Sequence, residues 1–129
     1  DVFNYGRMKR DFTFIDDISE AVAKCCYKKA IPDDYFDFED PANSSSFAPH
    51  RIFNIGNSES ISLLAFIETI EKELGKEAIK IFEPIQPGDV PKTSANIEKA
   101  RKKLGFAPKT KIEEGISNFV SWYREFYSI

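Results

Sequence analysis

The sequence predicts a single α/β domain over residues 1–129, with small mixed sheet elements and about four helices. Three observations lead there. A chain of 129 residues fits one domain at the usual ~100–200 residues each. Its 42% hydrophobic and 30% charged content suits a globule that buries a core, and is too apolar for a disordered chain. Short β-branched and aromatic runs alternate with stretches whose apolar residues recur at helical spacing.

Val2 to Tyr5 reads as a short strand closed by Gly6, and Phe12-Thr13-Phe14-Ile15 as a second, with the basic turn Gly6-Arg7-Met8-Lys9-Arg10 between them. Asp17 and Glu20 have the spacing of a capping box, and Ile18, Ala21, Val22 and Cys25 supply an apolar stripe. A helix is therefore expected over about residues 17–30, ended by Pro32. Residues 33–49 carry Asp33, Asp34, Asp37, Glu39 and Asp40, then Asn43-Ser44-Ser45-Ser46, which is the composition of an exposed loop. Arg51-Ile52-Phe53-Asn54-Ile55 is a compact strand signal stopped by Gly56-Asn57. Leu63, Phe66, Ile67, Ile70 and Leu74 then repeat at helical spacing, from a start near Ser60 to Ser62 up to Gly75. Ala78 to Phe82 reads as another strand, and residues 84–91 as a stiff loop containing Pro84, Pro87, Gly88 and Pro91. Ser94 caps a short helix bearing Ile97, Ala100 and Leu104. Thr110 with Glu113 forms a second capping box, opening a helix with Ile112, Ile116, Phe119, Val120, Tyr123 and Phe126 on one side.

Eighteen Lys and Arg against 21 Asp and Glu leave a net charge of −3, so no global positive field holds nucleic acid or an anionic membrane. Any anion must be gripped locally. No apolar run reaches the ~18 residues of a membrane span, and Asp1-Val2-Phe3 lacks the basic and apolar start of a secretory signal; a cytoplasmic setting is expected. Adjacent Cys25 and Cys26 point about 100° apart on a helix and cannot readily bridge each other, so reduced, packed thiols are expected. The lone His50, in an exposed loop, gives no zinc spacing and no Cys-His couple, and the acidic stretch near Asp37 lacks the periodicity of a calcium loop. The glycines stand too far apart for GxGxxG or a P-loop, so no dinucleotide fingerprint is encoded. The chain starts at Asp1 without Met, on residues that already read as a strand, and is expected to be cut from a longer protein.

Two groupings remain. Arg7, Lys9 and Arg10 form either a solvated turn or an anion grip, because the planar arginine fork matches phosphate in geometry as well as charge. Gln86-Pro87-Gly88-Asp89 is either an ordinary proline loop or a source of an amide, backbone groups and a carboxylate for a polar ligand. Tyr5 and Lys9 have the Tyr-x-x-x-Lys spacing by which a lysine one helical turn on activates a tyrosine for proton transfer. Gly6, directly after a strand, argues against the helix this pairing needs.

Arg10-Asp11-Phe12-Thr13-Phe14-Ile15-Asp16-Asp17, then Phe53-Asn54-Ile55-Gly56-Asn57-Ser58, then Gln86-Pro87-Gly88-Asp89-Val90-Pro91 with Thr93-Ser94-Ala95, in this order and spacing, resemble the C-terminal third of the extended short-chain dehydrogenase/reductase family. Within it the similarity is greatest to the UDP-glucuronate 4-epimerases. Leu104-Gly105-Phe106, Glu114-Gly115-Ile116 and Trp122-Tyr123 extend the likeness over almost the whole chain. The fold this implies is the C-terminal substrate-binding lobe of such an enzyme, the Rossmann core being mostly absent and the strand around Phe53 belonging to the edge of the Rossmann sheet.

The resemblance also implies roles. Arg10 matches the arginine that binds the diphosphate of a nucleotide sugar, and Phe12 an aromatic position beside that ligand. Ser62 and Leu63 match positions that approach the nucleotide, where a helix start would present free N–H groups. Asp89 matches an acidic residue that contacts the nucleotide through ribose hydroxyls. Gln86 stands where galactose epimerases and dehydratases have an arginine, which favours the glucuronate branch. No catalytic, cofactor-binding or metal-ligating residue is implied within the chain: NAD, the catalytic Ser/Thr and the Tyr-x-x-x-Lys belong to an N-terminal Rossmann domain. The implied activity of the full-length protein is interconversion of UDP-glucuronate and UDP-galacturonate, by hydride abstraction from the sugar C4 onto NAD, rotation of the 4-keto sugar and hydride return. The 129 residues alone would be inactive. A dehydratase or decarboxylase of nucleotide sugars, or a non-catalytic nucleotide-sugar binding module, are the alternatives, because the catalytic residues decide the reaction. The implied partners are a UDP-sugar and, in the full-length protein, a second copy, with neither nucleic acid nor membrane. An isolated copy should expose apolar surface that the other lobe covers. Above all, Arg10 and Asp89 must converge in one cleft.

Overall fold

Left-handed backbone at Asn4 and Tyr5 (φ 50° and 51°) curls Phe3–Gly6 into a 3-10 turn, so the strand expected over Val2 to Tyr5 does not form. Only Val2 keeps a β-type partner, a parallel bridge to Phe82. Gly6 is required at the bend: its φ is +78°, and a Cβ there would stand 2.8 Å from Leu64 Cγ. Past this bend the basic stretch itself becomes β1 (Lys9–Asp11), pairing antiparallel with β2 (Ser60–Ser62) in the register Lys9↔Ser62, Arg10↔Ile61, Asp11↔Ser60. The strand expected over Phe12 to Ile15 is thus displaced toward the N-terminus, and Phe12 to Phe14 lead directly into a helix. Tyr5 and Lys9 lie on a turn and a strand, not on one helix face.

The computed structural model describes residues 1–129 and contains four α-helices: α1 (Ile15–Cys26), α2 (Leu63–Leu74), α3 (Glu98–Leu104) and α4 (Ile112–Tyr127). These, with the small sheet and its parallel bridges, are the α/β architecture expected. α1 packs on α3 around Ala21, Ile97, Ala100 and Phe106, with Phe53, Ile55, Ala95 and Leu104 packed against that cluster. α2 packs on α4, where Gly115, Ile116 and Val120 are buried; the Cβ that Gly115 lacks would lie 3.2 Å from the Phe14 ring.

None of the three expected caps forms. Asp17 is not a capping residue but sits inside α1, buried, its carboxylate accepting the N–H groups of Lys109 and Thr110 at 3.1 Å each. Glu20 pairs instead with Lys24 and Lys109, whose hydrogen bonds hold its carboxyl below the ordinary range. Neither Thr110 nor Ser94 caps a helix: the residue before α4 is Lys111 and the residue before α3 is Ile97, while Asn96 Oδ1 accepts the Glu98 N–H at 3.0 Å. Cys25 and Cys26 are unbridged but exposed rather than packed, because the buried stripe of α1 narrows to Asp17 and Ala21.

Arg51 to Ile55 and Ala78 to Phe82 are not strands either; each keeps a single bridge, Arg51 to Ser45 and Phe82 to Val2. A strand exists through its ladder, and within these residues neither run finds one. The acidic loop is loop as expected. Arg51 approaches Asp33 at 3.7 Å, and Lys99 donates to the Ser44 carbonyl, which fixes the loop against α3. Burial, then the charge of Arg51, push Lys99 below its ordinary value. No helix is long and apolar enough to cross a membrane.

Glu71, near the end of α2, holds the returning chain: its carboxylate accepts from the Lys80 ammonium and from the Ala78 N–H, and these bonds, in that order, lower its pKa. A carboxyl depressed by folding stabilises the fold above its unfolded value and loses that contribution as pH falls through the folded one. Urea midpoints of the parent and of Glu71→Gln should therefore differ by a constant amount near neutrality and converge below the ordinary carboxylate range.

Candidate functional site

Residues 89–95 run beside β1 as an irregular third strand, and this brings the site together. The Lys9 N–H donates to the Pro91 carbonyl at 2.8 Å, and the Thr93 N–H donates to the Lys9 carbonyl at 3.2 Å. The stiffness of Pro87 and Pro91 suits a segment that lacks a regular ladder. At its near end the Arg10 guanidinium meets the Asp89 carboxylate at 2.9 Å, across 79 positions of sequence. A second guanidinium nitrogen donates to the Val90 carbonyl at 2.7 Å and to Lys9's own carbonyl at 3.0 Å. Of the five donors on an arginine, two remain for a ligand. Both side chains of the pair are partly exposed, at 26% for Arg10 and 33% for Asp89.

Ser62 lies directly across the ladder from Lys9 and precedes α2 without capping it. The N–H of Leu63, expected to be free for an anion, is taken by the Met8 carbonyl at 2.9 Å. Gln86 opens the turn that presents Asp89, its carbonyl accepting the Asp89 N–H at 3.1 Å. Phe12 stands apart from these: it stacks on Phe66, with centroids 4.1 Å apart and planes 7° from parallel. It lines a mostly apolar groove of about 610 Å³ between α2 and α4, together with Phe14, Ile70, Ile116 and Phe119. Arg10, Ser62, Leu63, Gln86 and Asp89 thus share the β1 neighbourhood, and Phe12 joins it only through the backbone.

Lys92 and Asp11 escaped the sequence reading. Lys92 bridges in parallel to Lys9, so both side chains leave on the face opposite Arg10, and the Arg7-Lys9-Arg10 run would have pointed to it only once the fold was known. Asp11 accepts three backbone N–H groups, from Asn57 at 2.9 Å, Ser58 at 3.0 Å and Ala95 at 2.8 Å. An aspartate next to a strand arginine, in a chain with a Gly-Asn turn to cap, is the one signal the sequence held for it. No three His, Cys, Asp or Glu side chains converge as a metal site would require.

A short ladder flanked by helices, with an arginine and a carboxylate from distant segments brought together beside it, is the arrangement expected of part of an extended short-chain dehydrogenase/reductase. The family model for GDP-mannose 4,6 dehydratase matches residues 1–119, and the chain belongs to this family of NAD-dependent nucleotide-sugar epimerases and dehydratases. It is 46% identical over 127 residues to protein CapI of Staphylococcus aureus, covering 98% of this chain and 38% of that protein. To a probable UDP-glucuronate 4-epimerase of Rhizobium meliloti it is 37% identical, over 98% of this chain and 38% of the relative. The crystal structure of UDP-glucuronic acid 4-epimerase from Bacillus cereus, in complex with UDP-glucuronic acid and NAD, superposes with a TM-score of 0.73 at 27% identity, over 97% of this chain and 35% of that one. The chain therefore spans less than two fifths of the length of the relatives it matches.

Proposed function

We propose that these 129 residues form the nucleotide-sugar grip of an NAD-dependent epimerase that interconverts UDP-glucuronate and UDP-galacturonate at C4. The observation that carries the reading is the Arg10–Asp89 pair at 2.9 Å. In this reading the two free guanidinium donors of Arg10 receive the diphosphate, while the second oxygen of Asp89 accepts ribose hydroxyls. Ser62, Leu63 and Gln86 border the nucleotide. Phe12 acts from below, setting by its stack on Phe66 where β1 leaves the sheet. Holding the ligand at its diphosphate fixes the reacting sugar in position yet leaves its ring free to turn, which a C4 inversion requires.

NAD, when bound, supplies the hydride acceptor and donor. The chain carries no glycine fingerprint for it, so its binding residues and the proton-transfer residues are assigned to the part of the enzyme outside these residues. The name of the Rhizobium relative and the ligand bound to the Bacillus one support the choice of UDP-glucuronate. In an assay that follows UDP-galacturonate formation by chromatography, the 129 residues alone, with added NAD, should give no product, and the intact enzyme should give it at once. Turnover by the isolated chain would overturn the division of labour; no turnover of UDP-glucuronate by the intact enzyme would overturn the substrate.

A further inference from the structure

We infer that Asp11 is a positioning residue for the nucleotide-sugar grip, setting through residues 89–95 where Asp89 and Val90 meet Arg10. The inference rests on the proposed role of Arg10 and extends it to a residue whose carboxylate is committed to backbone amides. Asp11 follows Arg10 in β1, so its side chain leaves the strand on the opposite face. There its Oδ2 accepts the Ala95 N–H at 2.8 Å and the Ser58 N–H at 3.0 Å, its Oδ1 accepts the Asn57 N–H at 2.9 Å, and its own N–H donates to Thr93 Oγ at 3.2 Å. One carboxylate thereby joins β1, the turn after Gly56 and the 89–95 segment.

That segment is held at both ends. At one end Asp11 takes Ala95; in the middle Lys9 takes Pro91 and Thr93; at the other end Arg10 takes Val90 and Asp89. The register of Asp89 against Arg10 is set by where Ala95 is anchored. Gly56 shows how close the anchor is: a Cβ on it would lie 2.5 Å from Ala95 Cβ and 3.2 Å from Asp11 Oδ2. No side-chain ion pair supports Asp11, so its charge serves these amides.

The test is a double-mutant cycle in the intact enzyme, read by calorimetry of UDP-glucuronate binding and by kcat. Asp11→Asn turns one acceptor into a donor facing the same amides, and should weaken binding by about tenfold, with kcat at saturating substrate changed less than about threefold. In an Arg10→Ala background the same substitution should weaken binding no further, because the grip it positions is gone. A merely structural role predicts the opposite, an equal loss in both backgrounds, and that additivity overturns the inference. If Asp11→Asn does not fold, Thr93→Val removes only the acceptor for the Asp11 N–H and should show a smaller loss that again vanishes with Arg10→Ala. Loss of affinity with Arg10→Ala but none with Asp11→Asn or Thr93→Val overturns the positioning role alone. Unchanged affinity with Arg10→Ala overturns the site and the inference together.

Discussion

Replacing Arg10 by alanine in the intact enzyme is expected to weaken UDP-glucuronate binding by about 2–3 kcal/mol, the scale for deleting one partner of a charged hydrogen-bonded contact. Two effects combine. In the proposed site the diphosphate would lose two directed donors, and Asp89 and the Val90 carbonyl would lose the cation that now faces them at 2.9 and 2.7 Å. The uncompensated Asp89 would then repel the diphosphate, so Arg10→Ala with Asp89→Asn should bind better than Arg10→Ala alone. Arg10→Lys should recover only part of the loss, because an ammonium keeps the charge without the fork. Calorimetry on the four proteins checks this; parent-like affinity for Arg10→Ala removes Arg10 from the site.

The pair was legible through the family resemblance, since from composition alone the basic turn and the proline loop each remained open to an ordinary reading. Arg10-Asp11-Phe12 and Gln86-Pro87-Gly88-Asp89 signal together what neither signals alone, and the structure places Arg10 against Asp89. Helices were legible for a different reason: their apolar spacing is local, and Leu63 to Leu74 lies close to its expected limits, closed by Gly75 at φ 66°, whereas α1 runs over Ile15–Cys26 rather than residues 17–30, stopping soon after its buried stripe ends. Strands were not. Val2 to Tyr5 has strand composition, yet left-handed residues at Asn4 and Tyr5 turn it, while Lys9-Arg10-Asp11, of poor strand propensity, pairs because the 60–62 and 91–93 segments flank it. Sheet structure depends on which partner arrives, and no window of sequence contains the partner.

The same logic explains the surface. Only 12 of the 129 residues are buried, and Phe119, Trp122, Phe126 and Tyr127 lie at least half exposed along α4. Ile79, Ile81 and Phe82, in a run with strand composition and one bridge, are exposed too. The Bacillus epimerase, of which this chain covers 35%, has further chain available to cover such faces, and we propose that they are buried there.

Replacing Asp17 by alanine should destabilise the chain by about 3 kcal/mol, because two hydrogen bonds to a buried carboxylate disappear and two backbone donors lose their acceptor. Asp17 is 5% exposed and takes the N–H groups of Lys109 and Thr110 just before α4 begins, so it ties α1 to α4 across 92 positions. A capping box would behave otherwise: its aspartate would be worth about 1 kcal/mol and its Glu20 partner a comparable amount. Here Glu20 faces water with Lys24 and Lys109, and Glu20→Gln should shift the urea midpoint little, as exposed pairs do. Asp17→Asn, which keeps one acceptor oxygen, should fall between. Equal, small losses for Asp17→Ala and Glu20→Gln would restore the capping box and remove the link between the helices; a large loss confined to Asp17 assigns the carboxylate to the 109–110 amides, the contact that ties the start of α4 to α1.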